Sequence, residues 1–120
     1  MTMHRHTISF AHAADGIGYA LKTQPNFLVH LSISAMAIIL GFELGLATWE
    51  WVTVIATISI GLVIELINTA IESTVDLVTQ DIKPLAKIAK DCASGAMLVY
   101  AVGASLVGLL IFLPKLWLFF

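Results

Sequence analysis

Residues 93 to 113, "ASGAMLVYAVGASLVGLLIFL", run for 21 positions without a charge. An α-helix rises ~1.5 Å per residue, so a helix of this length crosses the ~30 Å hydrocarbon core of a bilayer. Little else is open to a chain that carries it. With 59% hydrophobic and 12% charged residues and a mean hydropathy of +0.96 over 120 residues, the sequence is too apolar for an ordinary soluble domain and too short for several. A small all-helical integral membrane protein is the expectation.

Two further stretches can span. "FLVHLSISAMAIILGFELGLATW", residues 27 to 49, is interrupted only by His30 and Glu43, and a third apolar segment runs from Trp51 to about residue 78. The tryptophans of "ATWEW" between them belong at a membrane-water boundary, as do Lys115 and Trp117 after the last span, expected at about 92 to 113. Basic residues set the orientation. Arg5 and Lys22 precede the first span and Lys83, Lys87 and Lys90 separate the second from the third, so five of the six lie on one side. The positive-inside rule makes that side cytoplasmic and places the C-terminus outside.

The segment from about 8 to 24 differs in kind. Phe10, Ala14, Ile17 and Leu21 recur at helical spacing while His12, Asp15 and Lys22 face elsewhere, the pattern of an amphipathic helix on the membrane surface. Gln24 precedes Pro25, which disfavours helical continuation and permits a change of direction there. The opening residues lack the apolar run of a secretory signal. A net charge of -2 without aromatic-basic interleaving argues against nucleic acid, and the single Cys92 excludes an internal disulfide and multi-cysteine metal motifs. His4 and His6 are too few to form a metal site, and Cys92 reads as a packing residue.

"ELINTAIESTVD", residues 65 to 76, sets Glu65, Asn68, Glu72 and Asp76 at steps of three, four and four, hence on one helix face. A helix from Trp51 past Asp76 is about 40 Å long, so its last turns leave the hydrocarbon on the inner side. Acids at such depth are turned inward and paired. Lys83, Lys87, Lys90 and Asp91 follow in a connection that folds back over this face. Carboxylates beside lysines suit a magnesium-nucleotide, and a deeper carboxylate suits proton removal from a lipid hydroxyl. No GxxxxGK[ST] loop is present, and "GIGYAL" lacks the third glycine of a dinucleotide motif. Pattern alone leaves three readings open: structural acid-lysine pairing in a small membrane protein, a proton or ion path, and an enzyme site. His30 reads as a satisfied interior polar group and Glu43 as interfacial.

"ELINTAIESTVDLV" followed by "KPLAKIAKDCASGAML", with "FAHAADGIGYALKTQPNF" before them, resembles the prokaryotic diacylglycerol kinase family over nearly the whole chain. The resemblance implies a homotrimeric membrane kinase with a surface helix and three spans, using ATP and Mg2+ to phosphorylate a lipid alcohol at the cytoplasmic face of the cell membrane. Matched position by position, Glu65 is the general base and Glu72 a metal ligand. Asn68 and Asp76 support the site, Lys90 and Asp91 contact the nucleotide, and the turn from Asp81 to Lys83 contacts it as well. Ser94, Gly95 and Ala96 open the third span with small residues. Gln24 stands where relatives carry a second metal-binding glutamate, and its uncharged oxygen should hold magnesium more weakly. His12 replaces a tyrosine near the base and keeps a ring that can stack on adenine; Leu28 replaces an arginine. "NTAIE" and "KPLAK" favour the undecaprenol kinase branch over diacylglycerol kinases proper.

Overall fold

The computed structural model describes residues 9–120, so His4, Arg5, His6 and the first residue of the expected surface helix lie outside the described residues. Four α-helices follow in order: α1 (Ser9–Thr23), α2 (Pro25–Leu44), α3 (Thr48–Val78) and α4 (Pro84–Phe119). The last three are each long and apolar enough to cross a membrane, and the described residues contain no strand.

Proline opens two of these helices. Gln24 and Lys83 are both extended, at φ -111° and -108°, and the prolines after them occupy the first helical turn, where a missing N–H costs nothing. α4 therefore begins at Pro84, well before residue 92, and the expected connection carrying Lys87, Lys90 and Asp91 is helix. Ser94, Gly95 and Ala96 lie inside α4 and do not open it. The Lys83-Pro84 pair signals this start by the same rule that places the break at Gln24-Pro25.

α2 stops at Leu44 rather than near Trp49 because Gly45 adopts φ 67°, a left-handed conformation natural to glycine. The Leu46 N–H returns to the Gly41 carbonyl at 3.1 Å and the Gly45 N–H to that of Phe42 at 3.4 Å, a Schellman ending. Leu46 and Trp51 then fold over Gly41, where an added Cβ would meet them at 2.9 and 2.8 Å. α3 consequently starts at Thr48, before Trp51.

α3 and α4 form the main antiparallel pair, tied at three levels. Lys90 Nζ meets Asp76 Oδ1 at 2.6 Å at the turn end, the Tyr100 hydroxyl donates to the Thr57 carbonyl at 2.7 Å midway, and Lys115 Nζ meets Glu50 Oε2 at 3.2 Å at the far end. Lys115 is thus an ion-pair partner as well as a boundary residue. At ~1.5 Å per residue, α3 is about 46 Å long and α4 about 54 Å. Both exceed the hydrocarbon core, and most of their charges lie toward the turn, with Glu50 and Lys115 at the far end.

Little of this chain is enclosed by itself. Its buried apolar residues are Ala20, Phe27, Leu46, Val54, Ala93 and Ile111, and no large side chain among the described residues is fully buried. Leu, Ile and Val side chains stand exposed along all three long helices, as expected where lipid or neighbouring protein replaces water. On α1, Ala20 turns inward while Phe10, Ile17, Tyr19 and Leu21 remain exposed, which suits a helix lying on a membrane surface.

Candidate functional site

The acidic face of α3 is a graded column. Gly61, Glu65, Asn68, Glu72 and Asp76 succeed one another at helical steps toward the turn, and Glu65 lies about 16 Å along the axis from Asp76. Glu65 lines a cavity of about 320 Å³ between α2, α3 and α4. Asn26 lines the same cavity, so the α1–α2 junction stands at the level of Glu65. Its remaining walls are mostly apolar, among them Val29, Ile33, Ile64, Met97 and Leu98.

One turn further on, the Asn68 side-chain amide donates to Glu72 Oε1 at 3.4 Å. The opposite atom of that amide, Oδ1, is buried and has no hydrogen-bond partner among the described residues. A buried carbonyl oxygen left unpaired costs about 1–3 kcal/mol, so such an atom calls for a donor or a cation. The amide turns its nitrogen and not this oxygen to Glu72, so Oδ1 and the carboxylate are two separate oxygen donors of the kind that hard divalent ions take. Among the described residues no three His, Cys, Asp or Glu side chains converge into a closed cage. Asn68 and Glu72 would thus offer oxygen ligands to a magnesium ion, without a closed carboxylate cage among the described residues.

The charged rim lies beyond. Lys90 pairs with Asp76 across the hairpin, and Lys87 pairs with Asp91 within the first turns of α4. The side chains of Lys90 and Asp76 are 43% and 51% exposed, so the pair contributes little to stability. Asp81 and Lys83 stand exposed in the turn, where the Asp81 N–H donates to Thr79 Oγ1 at 3.1 Å. His12 is exposed on α1. The Gln24 amide nitrogen donates to Thr23 Oγ1 at 3.3 Å and makes no hydrogen bond to Glu72. The structure thus joins Asn68 with Glu72, Asp76 with Lys90 and Asp91 with Lys87, and leaves His12, Gln24, Asp81 and Lys83 outside those contacts.

Sequence reasoning passed over the partner of His30. The ring stacks on Tyr100 with centroids 5.5 Å apart and planes 27° from parallel, and both line the Glu65 cavity. They meet across Gly61, where a Cβ would fall 2.0 Å from His30 Cε1 and 2.3 Å from the Tyr100 hydroxyl. Gly61, four residues before Glu65 on the same face, was the available signal that another group approaches α3 closely there. Glu50 was missed as well. It is 8% exposed, accepts the Ala47 N–H at 2.8 Å and holds Lys115.

These features define a membrane protein with three spanning helices, whose carboxylate column climbs from an apolar cavity to a charged rim. Residues 11–112 match the prokaryotic diacylglycerol kinase family. The chain is 47% identical over 108 residues to the undecaprenol kinase of Bacillus subtilis, covering 90% of this chain and 88% of that protein. It is 42% identical over 110 residues to a diacylglycerol kinase of Synechocystis sp., covering 91% of this chain and 63% of that one, and 35% identical over 88 residues to a diacylglycerol kinase of Helicobacter pylori, covering 73% and 69%. The chain belongs to the prokaryotic diacylglycerol kinase family and is a phosphotransferase with an alcohol acceptor. Of the three readings that the sequence pattern leaves open, the family and the relatives favour an enzyme.

Proposed function

We propose that this chain transfers the γ-phosphoryl group of ATP to the hydroxyl of a membrane lipid, with undecaprenol favoured over diacylglycerol, at the cytoplasmic face of the cell membrane. The observation that carries the reading is the position of Glu65 on a largely apolar cavity, with Asn68, Glu72, Asp76 and Lys90 ranked behind it toward the rim. A carboxylate at that depth can reach an alcohol that cannot leave the bilayer, and the rim can receive a nucleotide that cannot enter it.

Glu65 accepts the proton of the lipid hydroxyl as that oxygen bonds to the γ-phosphorus and the bond to the ADP oxygen breaks. Glu72 and the Asn68 Oδ1 atom hold magnesium, with Gln24 a third oxygen donor from the α1–α2 junction. Magnesium when bound supplies positive charge that offsets the charge of the phosphates. Lys90 releases Asp76, a pair that contributes little to stability, and takes up phosphate oxygens. Asp91, Asp81 and Lys83 border the nucleotide, and His12 stacks on the base. The apolar flanks of the three long helices, left uncovered by the chain itself, support assembly into a homotrimer. The lysine-rich turn end supports a cytoplasmic site, with the C-terminus outside.

The test is transfer of label from [γ-32P]ATP to undecaprenol and to diacylglycerol, presented separately in mixed micelles over a range of magnesium concentrations. Label in undecaprenol above that in diacylglycerol is expected. A Gln24→Glu variant should reach half-maximal rate at a lower magnesium concentration than wild type. Absence of label from both lipids would overturn the reading.

A further inference from the structure

The cavity that receives Glu65 also holds the His30 ring, beside Asn26 and Tyr100. Among the described residues, neither ring nitrogen of His30 makes a hydrogen bond, although the ring is fixed on one side by Tyr100 and against α3 by the absence of a side chain at Gly61. Tyr100 is committed elsewhere, since its hydroxyl donates to the Thr57 carbonyl at 2.7 Å. A held imidazole beside Gly61, lining the same largely apolar cavity as the Glu65 carboxylate, is placed to meet a polar group that enters that cavity.

His30, Ile33, Tyr100 and Ala101 also form the border of a larger groove of about 740 Å³ that continues along α2, α3 and α4. The hydroxyls lining that groove are silent: Ser34, Thr57 and Ser105 donate to the carbonyls of His30, Thr53 and Ala101 on their own helices. From Glu65 past His30, the track therefore runs into a mostly apolar groove that suits hydrocarbon, with Glu43 the one carboxylate among the described residues that line it.

We infer that His30 is an acceptor-binding residue, its ring N–H donating to the hydroxyl oxygen of a long-chain hydrocarbon alcohol while that hydroxyl donates to Glu65. One hydroxyl satisfies both groups, because an alcohol oxygen accepts and donates at once. The carbon next to it then lies among Ile33, Met97 and Leu98, and the remaining chain leaves through the groove. Tyr100 and Gly61 act through His30 by holding the ring in place. This inference rests on the lipid kinase reading and adds to it the group that sets the depth of the acceptor.

The experiment uses full-length protein in detergent micelles with farnesol as the acceptor. His30→Phe keeps a ring to stack on Tyr100 and removes both nitrogens; His30→Gln keeps a donor. His30→Phe is expected to raise the KM for farnesol about tenfold, equivalent to about 1.4 kcal/mol, with the KM for ATP unchanged, and His30→Gln to recover most of the loss. In wild-type protein with 13C-labelled histidine and no nucleotide, farnesol should shift the His30 ring resonance, and the matching hydrocarbon without a hydroxyl should not. An unchanged farnesol KM in His30→Phe, a Gln variant no better than Phe, or equal shifts with alcohol and hydrocarbon would each overturn the inference while leaving the kinase reading intact. Wild type that phosphorylates no lipid alcohol would overturn both.

Discussion

Gly61→Ala tests the central packing claim with a single carbon. The new Cβ would lie 2.0 Å from His30 Cε1 and 2.3 Å from both Cζ and the hydroxyl of Tyr100. Ordinary van der Waals contact begins near 3.4 Å, so each ring must retreat by more than 1 Å. Neither is the loose end of a flexible chain: Tyr100 is bonded to the Thr57 carbonyl and His30 is stacked on Tyr100. Overpacking of this kind costs about 1–3 kcal/mol, against which alanine's better helix propensity returns about 1 kcal/mol. Gly103 in α4 is the internal control, because a Cβ there meets nothing within 4 Å and Gly103→Ala should stabilise by up to that same ~1 kcal/mol. The two variants should therefore differ by about 2 kcal/mol in reversible unfolding by SDS from mixed micelles, followed by circular dichroism and tryptophan fluorescence. Gly61→Ala should also lose activity toward lipid at temperatures where it remains folded. Equal stability of the two variants would refute the close approach of His30 and Tyr100 to α3.

Glu65→Gln should lower kcat for lipid phosphorylation by roughly 10²–10⁴, with ATP binding retained when measured by equilibrium dialysis; full activity would remove Glu65 as the base. Lys90→Met should change thermal stability by about 1 kcal/mol or less, because its partner Asp76 is half exposed, yet raise the KM for ATP severalfold in steady-state kinetics. Lys115→Met should lower the melting temperature, since it leaves Glu50 enclosed without its cation, and adding Glu50→Gln should restore part of the loss. A Lys115→Met protein as stable as wild type in a detergent melt would show that the far-end ion pair is dispensable.

Much of the architecture was legible because it depends on quantities that add along the chain. An uncharged run of 21 residues is a span whatever surrounds it, and Gln24-Pro25 marks a helix boundary from its own sterics. The shared face of Glu65, Asn68, Glu72 and Asp76 follows from helical period alone, and the family's motifs supplied their expected roles. Boundaries were harder where one glycine or proline outweighed hydropathy, as Gly45 did in ending α2 and Pro84 in opening α4. That lysines would meet the acidic face was legible, but which charge meets which across the hairpin was not. Asp76 and Lys90 are fourteen positions apart and Glu50 and Lys115 sixty-five, and only the register of α3 against α4 brings each pair together.

By itself, then, the sequence determined that this is a membrane protein of three spans and a surface helix, with acids on one face of the second span, since hydrophobic length and helical period are local properties. The tertiary structure decided what those acids face. The cavity before Glu65 exists because α2 and α4 meet α3 at Gly61, and His30 and Tyr100 border it because one glycine lacks a side chain. Such a choice depends on contacts between residues far apart in the chain, and no period or composition encodes them.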